Sequence, residues 1–301
     1  MLKNEKILIT GITSPVAEAL AKPLAGANEV WGVARFGDPA ARARVEAAGI
    51  KAVGLDLSAG DLSALPTDFT YVLHLAYFRS SVPDFEEAFR VNGDAVGFVF
   101  NHCRAAKAAL YMSSSVIYSM HEDPWHEKVE TDPIGWSKPG YSMTSTVSKV
   151  AGEAVARYCA RQLDLPVIIA RLNSPYGPTT GLPVSNMDQV VAGKEVFARW
   201  DPEPYTPIHL DDMSDQLEAL LGAAGTPATV VNWAGDEHVT VQQWSEQAAQ
   251  MAGTTAKINV RPPPGSARGS CMDTTKRKSI TGPCRIPFEE GFRAAFKARH
   301  G

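Results

Sequence analysis

The chain has few cysteines, no long apolar run and no surplus of either charge, and each shortage removes a class of function. Cys103, Cys159, Cys271 and Cys284 are the only cysteines in 301 residues, and none belongs to a CxxC pair. That spacing gives neither a disulfide framework nor a zinc site and fits a reducing, cytoplasmic setting. No apolar stretch approaches the ~20 residues that a membrane helix needs. The opening MLKNEKILIT carries too short an apolar run for a secretory signal. With 29 basic and 33 acidic side chains the net charge is −4, so nothing points to nucleic acid or an anionic membrane as partner. His121 and His126 lack the spacing of a helical HExxH pair, so no metal is expected.

What is present is alternation. Short apolar runs at Lys6–Thr10, Glu29–Ala34, Lys51–Leu57, Tyr71–Ala76, Ala108–Met112 and Pro166–Ala170 read as buried strands. Between them lie helical patterns at Pro15–Ala25, Pro39–Ala48, about 84–106 and 144–163. Strands alternating with helices predict an α/β fold, a doubly wound parallel sheet covered on both faces. Residues 1–172 are expected to form a dinucleotide-binding Rossmann domain. Residues 173–301 are expected to form mainly a smaller substrate domain, with Val230–Ala234 returning to the main sheet. The stretch 119–140 has no periodicity and is rich in Pro, Asp, Glu and Trp. At a strand's carboxyl end it is a candidate lid.

The first strand runs into Thr10-Gly11-Ile12-Thr13-Ser14-Pro15-Val16-Ala17. A strand, a tight turn and a helix N-terminus make an anion site, because free amides and the helix dipole favour a diphosphate. Gly11 suits the turn, whereas Ser14 and Ala17 stand where the full glycine fingerprint has its second and third glycines. Pro15 can open the helix, since its missing N–H would have had no partner. Arg35 closes the second strand, where an arginine suits a ribose 2′-phosphate and an acid would suit a 2′-hydroxyl. This single charge places NADP ahead of NAD. Asp56 closes the third strand and can accept from an adenine amino group, or else cap a helical turn.

These pieces, with His74-Leu75-Ala76, Asn92, Ser113-Ser114-Ser115-Val116-Ile117-Tyr118, Ser148-Lys149, Glu153 and Arg171-Leu172-Asn173-Ser174-Pro175-Tyr176-Gly177-Pro178, resemble the extended short-chain dehydrogenase/reductase family, the NAD-dependent epimerase/dehydratase group. The resemblance implies an NAD(P)-dependent oxidoreductase, epimerase or dehydratase acting on a hydroxyl or carbonyl of a small-molecule or sugar-like substrate. It implies that Gly11, Thr13, Ser14, Pro15, Val16, Arg35, Asp56, Leu57, Leu75, Ala76, Lys149 and Asn173 hold the cofactor. By position, Ser114 matches the serine that bonds the reacting oxygen, and Lys149 the lysine that binds the nicotinamide ribose. The resemblance also implies a homodimer through the helices at about 84–106 and 144–163.

The catalytic tyrosine breaks the pattern. YxxxK requires it at 145, which is serine, and a serine hydroxyl titrates far above the ~10 of tyrosine. Tyr141 is the nearest tyrosine, eight residues before Lys149. On a continuous helix, at ~1.5 Å per residue, it would lie ~12 Å away. A bulge could return it to the site, or it could be a packing aromatic with another group doing the acid/base work. His121, Glu122, Asp123, His126 and Glu127 are further proton carriers by type, although a charged loop is mostly an exposed surface. Substrate contacts are expected from Tyr77–Ser81, from 119–140 and from residues after Pro178, where the Gly181–Pro207 segment carries Asn186, Lys194, Arg199 and Trp200. Two alternatives stay open: a catalytically silent NAD(P)-binding regulatory module, and a non-redox isomerase or lyase on the same scaffold.

Overall fold

The computed structural model describes residues 2–79, 82–135 and 143–301. Its strands are β1 (Lys6–Thr10), β2 (Glu29–Ala34), β3 (Lys51–Gly54), β4 (Tyr71–His74), β5 (Ala108–Ser114), β6 (Val167–Leu172), β7 (Pro175–Tyr176), β8 (Glu195–Ala198), β9 (Pro204–Tyr205), β10 (Ile208–His209), β11 (Thr229–Trp233), β12 (Val239–Thr240) and β13 (Lys257–Val260). The helices are α1 (Pro15–Ala25), α2 (Pro39–Ala47), α3 (Phe85–Phe89), α4 (Ala95–His102), α5 (Thr144–Gln162), α6 (Leu182–Val191), α7 (Leu210–Gly222), α8 (Val241–Ala252), α9 (Thr275–Thr281) and α10 (Phe288–His300).

Seven strands form one parallel sheet in the order β11-β6-β5-β4-β1-β2-β3. Alternation along β1 shows why it is buried on both faces. Ile7 and Ile9 join Leu24, Leu217 and Trp233 on one side, while Leu8 joins Val72, Phe100 and Ala160 on the other. Chain direction across the sheet reverses between β1 and β4, which opens a crevice beyond their carboxyl ends. The strand β11 returns late in the chain to pair with β6, with Val231 opposite Ala170. The remaining strands make three two-stranded pieces. Around them α6, α8 and α10 close a second core containing Tyr176, Trp244, Phe288 and Phe292.

Local chemistry sets several boundaries. Ser14 caps α1 by accepting from Ala17 N, and Pro15 follows at the first helical position. Pro23 lies inside α1 and offers no N–H to Ala19. Ser214 on α7 donates to that carbonyl instead, at 3.2 Å. The strand expected over 51–57 stops at Gly54, because the Asp56 carboxylate accepts from Ser58 N and starts a 3₁₀ turn over Leu57–Ala59. The strand expected over 71–76 stops at His74, and Ala76 N turns to the Thr10 hydroxyl. The single helix expected over 84–106 is three pieces, α3, a π turn over Arg90–Asp94, and α4. Gly152 of α5 packs there so closely that a Cβ would lie 2.4 Å from Asn92 O.

The expected lid behaves otherwise in its described part, residues 119–135. Lys128 N donates to Cys271 O and Asp273 N to Lys128 O. Asn232 N donates to the Glu130 carboxylate at 2.8 Å, and Arg171 donates to Glu130 O at 2.9 Å. These bonds stitch the segment to the sheet end and to the late chain. Trp136 and Tyr141 lie outside the described residues.

Candidate active site

Gly11 ends β1 in the left-handed region, φ +69°, and a Cβ there would sit 2.7 Å from Ala76 Cα. Only glycine lets the first turn approach the end of β4 this closely. The Ile12 amide is taken by Val33 O, Ser14 N by Gly11 O and Ala17 N by Ser14 Oγ. The amides of Thr13 and Val16 find no acceptor among the described residues. They front the positive end of an eleven-residue helix, an arrangement that fits a diphosphate. Arg35 is exposed at the end of β2. Asp56 spends one oxygen on its turn; its carboxyl is held below the usual range chiefly by the Ser58 hydroxyl, with a smaller pull from Arg90 and Arg35.

Beyond the carboxyl ends of β4, β5 and β6 lies a cavity of about 550 Å³. Ser14 and Val16 of the turn after β1, with Leu75, reach its wall, and Ser114 and Lys149 stand on the same wall. Ser114 is half-buried and caps the 3₁₀ turn over Ser115–Ile117. Lys149, on α5, is only 4% exposed. Its Nζ donates to Met112 O at 2.6 Å and lies 4.6 Å from the Tyr77 ring centroid. Burial pushes this ammonium down to about 7, against an upward pull from Glu153. His74 is fully buried, with its Nδ1 in a hydrogen bond of 3.1 Å with the Thr10 hydroxyl. Burial, and then the charge of Lys149, hold it neutral down to about 3, so it shapes the strand end as an uncharged imidazole near neutrality.

A second layer fixes this wall. Glu153 receives two bonds of 2.9 Å from Arg171 and one of 2.7 Å from Ser113, and both members of the ion pair are 2% exposed. Arg171 also donates to the Tyr118 hydroxyl, which donates to Asn232 at 2.6 Å. Asn173 donates to Ser115 Oγ, Ser270 O and Ser270 Oγ and accepts from Thr206 N.

The expected residues therefore divide. Ser14, Val16, Leu75, Ser114 and Lys149 meet at one cavity, with Gly11 and Ala76 directly behind. Leu57 is a core residue. Asn173 is buried just behind the wall, with its amide occupied by Ser115 and Ser270, which line the cavity. None of His121, Glu122, Asp123, His126 or Glu127 lines the cavity. His126 bonds Asp132 at 2.8 Å and stacks on His121, and Glu127 faces His238. Lys194 is exposed, whereas Arg199 reaches the wall with Glu203 and Tyr205 beside it. Sequence reasoning missed the opposite wall, where Pro263, Ser266, Ala267 and Ser270 stand. Nothing in that Pro-rich stretch marks it, because it reaches the site through contacts far away in sequence, among them those of Ser270 with Asn173, Ser115 and Pro204 O.

Residues 7–196 match the model of the NAD dependent epimerase/dehydratase family. Comparison with curated proteins gives no match. Among solved structures, a UDP-glucuronic acid 4-epimerase mutant from Bacillus cereus, in complex with a fluorinated UDP-glucuronic acid and NAD, superposes with a TM-score of 0.84 at 20% identity, covering 97% of this chain and 98% of that one. UDP-glucose 4-epimerase from Thermus thermophilus, in complex with NAD, gives 0.80 at 19% identity over 97% and 98%. The dTDP-glucose 4,6-dehydratase from Bacillus anthracis, in complex with NAD, gives 0.81 at 16% identity over 98% and 96%.

Proposed function

Because the chain belongs to the NAD dependent epimerase/dehydratase family, we propose that it is an enzyme that binds NAD beyond the end of β1 and epimerises or dehydrates a nucleoside diphosphate sugar. The observation that carries this reading is the meeting of Ser114 and Lys149 with the Gly11–Val16 turn at one cavity. A bound NAD supplies a hydride acceptor that can later return the hydride. The chain's own residues do the rest. Amides of the Gly11 turn hold the diphosphate, Asp56 and Arg35 flank the adenosine end, and Lys149 binds the nicotinamide ribose. Ser114 donates to the substrate oxygen at the reacting carbon. Residues 173–301 supply the outer wall for the sugar nucleotide. Arg79, Lys149 and Arg199 line the cavity, and no carboxylate does so among the described residues. That balance suits a second diphosphate.

The preference for NADP rests on Arg35 alone. The family description and three relatives solved with NAD favour NAD. We also infer a homodimer through α4 and α5, where Phe98 and Tyr158 stay exposed. Calorimetric titration with NAD and NADP tests the first step. Chromatography after incubation with UDP-glucose, UDP-glucuronic acid and dTDP-glucose tests the second. The expected result is saturable binding with NAD the tighter ligand, and conversion of at least one sugar. Absence of affinity for both dinucleotides would refute the proposal.

A further inference from the structure

We propose that Tyr77 supplies the acid/base phenol that position 145 of helix α5 lacks. This rests on the function proposed above and names a catalytic residue for it. Residues 145 and 149 lie one turn apart on the same face of α5. From the loop after β4, the Tyr77 hydroxyl reaches across and hydrogen-bonds the Ser145 hydroxyl. A phenol oxygen thus meets the surface that a tyrosine at 145 would have supplied, and it enters from another element. The Lys149 ammonium lies 4.6 Å from the centre of the Tyr77 ring, where it can stabilise negative charge developing on that oxygen. Tyr77, Ser145, Lys149 and Ser114 all line the cavity.

Among the described residues, the other tyrosines near this wall are spoken for. Tyr111 also neighbours Lys149, at 5.1 Å, but it is fully buried and does not line the cavity. Tyr118 is bound by Arg171 and Asn232. Tyr205 does line the cavity, with its hydroxyl held between Arg199 and Glu203. Tyr77 is 40% exposed, as a group that meets a substrate must be.

Its backbone is held on both sides. Ala76 N donates to Thr10 Oγ1 at 3.1 Å. Asn92 accepts from Phe78 N at 2.7 Å and donates to Phe78 O at 2.9 Å. The same Asn92 amide donates to Ser148 Oγ on α5 at 3.0 Å. The π turn that carries Asn92 therefore locks the Tyr77 loop to the stretch between Ser145 and Lys149. The Tyr77 phenolate takes the proton of the substrate hydroxyl, and the hydrogen on the same carbon leaves with its electron pair to oxidised nicotinamide. A carbonyl remains. On the return the phenol gives the proton back.

Three proteins test this: the wild type, Tyr77→Phe and the double variant Tyr77→Ala/Ser145→Tyr. Calorimetry measures NAD affinity, chromatography measures sugar-nucleotide turnover, and tetranitromethane followed by peptide mass spectrometry measures access to the Tyr77 ring. The expected results are NAD affinity within about threefold in Tyr77→Phe and a turnover loss of about 10²- to 10⁴-fold. The double variant should recover at least about tenfold of that loss, since it returns a phenol to the same face. Nitration of Tyr77 should fall when NAD is bound. A Tyr77→Phe protein that binds NAD and turns over like the wild type overturns the role of Tyr77 and leaves the proposed function standing. A wild type that binds neither dinucleotide and converts no sugar overturns the function itself.

Discussion

Replacing Lys149 by methionine should make the folded protein more stable while disabling it. The lysine is 4% exposed, and burial lowers it from 10.5 to about 7. At 1.36 kcal/mol for each pH unit, the folded state disfavours the charged form by about 5 kcal/mol. Methionine fills much of the same volume without charge, but it leaves Met112 O without its donor, at a cost of about 1–3 kcal/mol. The net expectation is a gain of about 2–4 kcal/mol near pH 6. The sign follows from proton counting. Between about 7 and 10.5 the folded wild type binds fewer protons at this site than the unfolded chain, so its stability rises with pH. Below about 7 the penalty is complete. The methionine variant has no such slope, and its advantage should disappear as pH climbs toward 10.5. His74, neutral in the folded state down to about 3, adds a slope below about 6.5 to wild type and variant alike, so it largely cancels from the gap between them. Urea unfolding followed by tryptophan fluorescence measures the gap, and the buried Trp233 and Trp244 make the signal sensitive to the core. A gap of the same size at about pH 6 and about pH 10 would refute the assignment of the charge burial to Lys149.

Three further outcomes are expected. Gly11→Ala forces a Cβ to within 2.7 Å of the Ala76 backbone at a positive φ, so calorimetry should show at least about a tenfold loss of NAD affinity. Glu153→Gln leaves Arg171 charged and without its carboxylate inside the protein; the cost should be about 3–5 kcal/mol, seen calorimetrically as a fall of about 10 °C in Tm. Placing glutamate at Phe98 and Tyr158 together should convert the inferred dimer to a monomer in light scattering, with the far-ultraviolet dichroism unchanged.

The alternation of short apolar runs with helical patterns was enough to read the parallel sheet, since both faces of each central strand are covered. The strands β1 and β2 and the helix α1 begin and end where apolar runs, Ser14, Pro15 and Gly26 mark them. Boundaries moved where a side chain competed with the backbone. Asp56 ended β3 early by capping its own turn, and Asn92 sits in a π turn that periodicity reads as unbroken helix. The site was half legible. Ser114 and Lys149, singled out by their positions in the family-like motifs, do line one cavity. The Tyr77–Ser145 contact spans 68 residues and rests on a loop conformation set by Thr10 and Asn92, which no spacing rule encodes. The wall at Pro263–Ser270 was hidden for the same reason.

That last wall has a bearing on how the molecule comes into being. Ala267 and Ser270 face the cavity, and Ser270 is fastened to Asn173 in the middle of the sequence. All seven strands of the main sheet emerge from the ribosome before this stretch does. A nascent polypeptide can therefore assemble the whole sheet while the cavity beyond its carboxyl ends still stands open to water. Enclosure of the cavity waits until residues 263–270 have followed the sheet out.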